Sequence, residues 1–183
     1  VVLFILLAIF APLVAPRDPF KGGVDALLAP GNNGFILGSD HLGRDILSEL
    51  IYGARVSLAV GISAALSASI LGIIVGSLAG FFGGWVDGVL MRLSEFFQTL
   101  PRFVLALVIV AFFGGGVFKV IIVLAILSWP QIARLVRAQI LSLREATFVE
   151  AARLSGMNSI RIIVREILPN ALAPVIVTGS LDV

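Results

Sequence analysis

Cysteine is absent from this 183-residue chain, and histidine occurs once. Without thiols there is no disulfide framework and no thiolate metal site, and the redox compartment leaves no mark. The lone His41, in a polar loop with no second imidazole or thiol nearby, does not make a metal-ligand set. Its expected role is a local hydrogen bond or a contact with an external partner. A Ser/His/Asp catalytic arrangement is equally poorly served. Charge is scarce as well: 13% of residues are charged, against about 25% in an ordinary soluble domain. Lys21 and Lys119 are the only lysines. Neither ends the Gly-rich, Gly-Lys-Ser/Thr loop that cradles nucleotide phosphates, so the chain is not itself a P-loop ATPase. The net charge of +2 makes the pI near 9.7 an arginine surplus rather than a nucleic-acid footprint.

What the chain has in abundance is apolar surface. It is 59% hydrophobic with a mean hydropathy of +1.11. In water such a chain would expose more hydrophobic area than it could cover. It belongs in lipid, as an all-α polytopic bundle of transmembrane helices.

A helix needs about 20 mostly apolar residues to cross the hydrocarbon core. No charge falls between Arg55 and Asp87, which is ample for one tilted span. A second stretch runs from about Val89 to Phe113, with Arg92 and Glu95 at its start and Arg102 inside it, and a third from about Val117 to Val136. A fourth begins near Ile167. Val1 to Ala15 reads as the remainder of a first transmembrane helix rather than a signal peptide, because it has no basic flank and further spans follow. Five spans are expected, two of them incomplete, in a fragment truncated at both ends. Residues 1–55 form the first helix end plus a loop, and 56–183 form the transmembrane domain.

Two connections exceed a turn. Pro16 to Arg55 holds four basic and five acidic residues, whereas Arg134 to Glu166 holds six arginines against three glutamates. Arginine excess favours the cytoplasm. The second connection is therefore expected inside and the first outside, with three spans between them.

Within the first long span, Ala64, Ala68, Gly72, Gly76, Gly80 and Gly84 recur every fourth residue. Such a stripe lets helix backbones approach closely in lipid, although small residues are also common in membrane helices at large. Arg92, Glu95 and Arg102 can share one helical face, with Pro101 kinking the helix. Either they have a structural or gating role, or Arg92 and Glu95 snorkel to the headgroups.

The segment from Arg144 to Pro169 is too polar to cross a bilayer but strongly helical. Gly156 is placed to stop a first helix, and Asn158 or Ser159 to cap a second. Ile160, Ile163, Val164 and Ile167 follow helical spacing as one apolar stripe, and Pro169 is expected to close that helix. The resulting helix–turn–helix would rest one face on the membrane helices and offer Glu150, Ala151 and Ala152 on the other. Pattern and charge leave two readings open: docking of a soluble partner, or an amphipathic helix lying on lipid.

Glu150-Ala151-Ala152, then Gly156, then Leu168-Pro169 resembles the EAA loop of binding-protein-dependent ABC importer permeases. Where the generic pattern has Ile two residues before Leu-Pro, this chain has Glu166, with Ile167 one later. EAARLSG followed by RIIVREILPNALAPVIV is similar to the dipeptide, oligopeptide and nickel branch. So are Leu37 to Asp45 (LGSDHLGRD) and Tyr52-Gly53-Ala54-Arg55, in its C-type subunit. The similarity extends from about Gly38 to Val177. It implies the type I importer permease fold and a non-enzymatic subunit forming a path for peptides or a related small solute, nickel among them. It also implies a second homologous permease subunit, two ATP-binding subunits, an extracytoplasmic substrate-binding protein and no cofactor. By the same resemblance the loop at about 144–169 would be the coupling element. Glu150 would pair with a basic residue of the ATPase, Gly156 would make the turn, and Leu168-Pro169 would set the helix end. Two other classes compete: a self-sufficient secondary transporter, which needs ionisable relay groups at mid-membrane, and a membrane-embedded enzyme, which needs more polar residues than these spans hold.

Overall fold

A computed structural model describes residues 2–23 and 25–172, so the span expected from Ile167 onward lies largely outside the described residues. The chain divides into two compact units, Val1–Ile62 and Ser63–Val183.

In the first unit, helix α1 (Val2–Ile9) breaks at Phe10 and a short α2 (Ala11–Val14) follows. Pro12 sits inside α2, where it has no N–H to give and its ring crowds the preceding turn. The following loop is held by side-chain as well as backbone hydrogen bonds. The Arg17 N–H donates to Ser48 Oγ at 3.1 Å, and the Arg17 guanidinium donates to Asn33 O at 3.0 Å while lying 3.8 Å over the Phe35 ring. Buried Ser39 accepts the Leu28 N–H at 2.9 Å and forms an isolated bridge with Asp45. Asp45 then caps α3 (Ile46–Phe82): its carboxylate accepts the Ser48 N–H at 2.8 Å and the Ser48 hydroxyl at 2.6 Å. The helix therefore starts at Ile46, and residues 46–55, expected to be loop, are its first turns. Charged residues there hid a helix that a buried cap begins.

The sequence motif Leu37 to Asp45 has a physical basis. Gly38 and Gly43 both have positive φ, and a Cβ on either would stand 2.3 Å from Leu28 O or 2.4 Å from Gly23 O. Between them Asp40 and Arg44 clasp each other, Arg44 Nη2 donating to Asp40 Oδ2 at 2.7 Å, with Glu49 3.0 Å from Arg44 Nε. Burial works to raise the Asp40 carboxyl. The backbone and side-chain hydrogen bonds from Arg44 and the Leu42 N–H outweigh it and bring the pKa down to about 2.

The second unit contains the remainder of α3, then α4 (Gly84–Thr99), α5 (Arg102–Phe113), α6 (Val117–Leu143), α7 (Thr147–Leu154) and α8 (Ser159–Ile162). Among the described residues two single helices are long and apolar enough to cross a membrane, α3 and α6. With 37 residues α3 is about 55 Å long, well beyond the hydrocarbon thickness. The stretch expected as one span over 89–113 is two helices, α4 and α5, which together are long and apolar enough for one span but are bent by 87°. The chain leaves helical geometry at Leu100 (φ −74°, ψ 132°), as a residue before proline tends to. Glu95 and Arg102 accordingly lie on separate helices and share no helical face, while Arg92 and Glu95 are exposed on α4.

Where α3 meets α6, the four-residue stripe lies against the partner backbone. A Cβ at Gly72 would stand 2.7 Å from Ile132 Cβ, at Gly76 2.4 Å from Ala133 O, and at Gly80 2.8 Å from Ile140 Cβ. Ala64 and Ala68 continue the buried line, but exposed Gly84 does not: α3 stops at Phe82, and Gly83 and Gly84 turn the chain with positive φ. Helix α4 also packs on α6. Phe97 meets Trp129 edge-on at 5.7 Å, the Ser94 hydroxyl donates to the Pro130 carbonyl at 3.3 Å, and Arg137 forks onto Asp87 at 2.5 and 2.6 Å. Arg134 and Arg137 thus belong to α6, and the connection expected to open at Arg134 opens at Arg144.

Candidate docking site on the α7–α8 hairpin

After Arg144 the chain makes one turn and enters α7, which has Glu150 in its first turn and Arg153 in its last. Both charges complement the helix dipole. Gly156 has φ +77°, its N–H donates to Arg153 O, and the Met157 N–H donates to Ala152 O at 3.1 Å. This paired closure is a Schellman motif, which requires a left-handed residue where Gly156 sits. Of the two candidate caps for the next helix it is Asn158 that acts, its Oδ1 accepting the Arg161 N–H at 2.8 Å.

Beyond α8 the helix widens into a π turn, Ile163–Ile167, where the Leu168 N–H reaches back to Ile163 O. Helical geometry continues through residues 168–172, so Pro169 does not close the helix. The wider turn precedes the residue that cannot donate, and the Asn170 amide donates to Glu166 O at 2.8 Å. The same widening moves the apolar stripe. Ile160 and Val164 are 67% and 55% exposed, and the buried set is Ile162, Ile163 and Ile167. A 3.6-residue period does not describe a helix containing a π turn.

These isoleucines, with Val149 and Ala152, pack onto Phe81 of α3 and Val136 and Ile140 of α6. Burying an isoleucine fully is worth about 1.5–3 kcal/mol, so the hairpin is held firmly to the helix ends. Arg153 adds a cation 5.4 Å over the Phe81 ring, and Arg144 donates to the Gly80 carbonyl at 3.3 Å, near the end of α3.

The residues singled out from the sequence separate accordingly. Glu150 and Ala151 are exposed, and the Glu150 carboxylate meets no cation among the described residues. Ala152 lies inside the cluster and is not offered outward, because it stands three residues after Val149 on the buried face. Leu168 is half-buried against that cluster, and Pro169 is exposed. Sequence reasoning missed Leu154, 90% exposed at the tip of the hairpin between Arg153 and the Gly156 turn. An apolar residue in the last helical position, just outside the buried stripe, was its only signal. His41 is exposed in its loop, and no group of three metal-ligating side chains occurs among the described residues.

Residues 68–183 match the profile described as binding-protein-dependent transport system inner membrane component. The dipeptide transport system permease protein DppC of Escherichia coli K12 is 46% identical over 99% of this chain and 62% of its own length. The di/tripeptide transport system permease protein DppC of Pseudomonas aeruginosa UCBPP-PA14 is 41% identical over 98% of the chain and 61% of its own length. The glutathione transport system permease protein GsiD of Shigella flexneri serotype 5b is 44% identical over 97% and 59%. The chain spans about three fifths of the length of these relatives.

Proposed function

Because the chain belongs to the family of inner-membrane components of binding-protein-dependent transport systems, we propose that it is part of a permease subunit of an ATP-driven peptide importer. It sits in the inner membrane, catalyses no reaction, and passes the motion of partner ATPases to the membrane helices. A second permease subunit, two ATP-binding subunits and an extracytoplasmic binding protein complete the machine. Peptide cargo is suggested by relatives whose names specify dipeptide, di/tripeptide and glutathione transport.

One observation carries the coupling role. The α7–α8 hairpin buries one side on the ends of α3 and α6 while holding Glu150, Ala151 and Leu154 outward. A rigid element with a free outer face transmits a rigid-body shift, whereas a loosely tethered one absorbs it. Glu150 supplies a charge for a basic groove and Leu154 an apolar contact. The hairpin faces the cytoplasm on this reading, and the loop before α3 faces the opposite side. Purifying the full-length protein in mild detergent tests the assembly: ATP-binding subunits should accompany it. A protein recovered alone yet still transporting would be a self-sufficient carrier.

A further inference from the structure

Arg134 is exposed on α6, well before the helix ends at Leu143, and its environment differs from that of its neighbour. Arg137 is neutralised by Asp87. Arg134 meets no carboxylate among the described residues, and its guanidinium donates to Gln98 Oε1 instead. Gln98 lies one turn beyond Ser94, which meets the Pro130 carbonyl, so the guanidinium is drawn back along α6 towards Pro130. The Gln98 amide nitrogen is buried and has no acceptor among the described residues. Ser128, Gln131, Arg134, Ala138 and Ser142 are all exposed at three- and four-residue spacing. They form one polar or small-residue face on a helix whose earlier exposed positions, Leu124 among them, are apolar.

A charged side chain within a membrane span faces the bundle interior or a water-filled cavity rather than lipid. The neutral hydrogen-bonding groups beside Arg134 supply no counter-charge, which suits an anion that passes rather than one that stays. A guanidinium offers a planar fork matched to a carboxylate, and Gln98 occupies only part of it. We propose that Arg134, positioned by Gln98, lines the translocation path and takes the terminal carboxylate of the transported peptide, with Ser128 and Gln131 on the same wall. This rests on the permease reading above.

The cysteine-free chain makes the test direct. In the assembled importer, Arg134→Cys should react with a water-soluble thiol reagent, reaction should slow at least about fivefold while alanyl-alanine is transported, and Leu124→Cys should stay inert. Arg134→Gln should cut alanyl-alanine uptake at least about tenfold with assembly unchanged, and Arg134→Lys should restore part of it. An unreactive cysteine at 134 in an intact complex would overturn the proposal by placing the arginine against a partner subunit, and so would unaltered uptake by Arg134→Gln. If the wild-type importer fails to accumulate alanyl-alanine, the peptide reading fails instead, and thiol accessibility still decides whether Arg134 lines an aqueous path.

Discussion

Glu150 stands alone at the start of α7, with no cation in contact among the described residues, so its charge is available to a partner. Reversing it in Glu150→Lys should leave the subunit inserted but uncouple it. An unpaired charge buried at an interface costs about 2–5 kcal/mol. Uptake should therefore fall at least about tenfold, with less ATPase co-purifying; wild-type levels of both would remove Glu150 from the contact. Asp40 makes a prediction about acid. Its folded pKa, about 2, lies below the ordinary 3.8 because Arg44 and backbone N–H groups hold the carboxylate. A lowered carboxylate pKa stabilises the fold above the unfolded value and loses that effect as pH falls through the folded one. Proteolytic protection of the loop around residues 37–45 should thus fade between about pH 4 and about pH 2. Asp40→Asn should flatten that response; a wild-type loop indifferent to this window would contradict the clasp.

Among the elements, α3 and α6 approach closely at the glycine stripe. A Cβ at Gly76 already collides with Ala133 O, and Gly76→Leu adds three further carbons there. Lipid offers no hydrophobic gain to compensate for lost packing, while leucine favours insertion by about 0.5 kcal/mol. The variant should insert normally, then assemble poorly and be degraded; normal recovery of the complex in mild detergent would mean that α3 tolerates separation from α6. The glycine stripe was legible because a period of four small residues has few other uses along an uncharged stretch of helix. The Gly156 turn was legible because glycine is the usual residue for a left-handed stop. The π turn was not. Ile160, Ile163, Val164 and Ile167 fit an α-helical stripe, and nothing local signals that the chain widens ahead of Pro169. The sharp α4–α5 bend was half legible: Pro101 marks its place but not its 87° angle. The Asp87–Arg137 pair joins residues fifty positions apart, a pairing that depends on helix packing and has no local signature.

For the whole molecule, the proposed role is that of a wall and a lever rather than a motor. The proposed orientation rests on arginines: Arg144, Arg153, Arg161 and Arg165 cluster about the hairpin, while the loop before α3 has no such excess. Single cysteines at Asn33 and Asn158 should be labelled by an impermeant thiol reagent from opposite sides, position 158 only after the inner membrane is ruptured. Labelling of both from outside would reverse the orientation of the hairpin. The family was legible from Glu150 to Pro169 and from Leu37 to Asp45, because both stretches encode turns, caps and clasps that few other sequences satisfy. The cargo was not, since on the proposed reading selectivity is shared with a binding protein outside this chain. The most direct measurement is uptake of a radiolabelled dipeptide into proteoliposomes holding the full-length subunit with its co-purified partners and the binding protein. Accumulation should require ATP hydrolysis and persist after ion gradients are collapsed. Accumulation driven by an ion gradient without ATP would contradict the account.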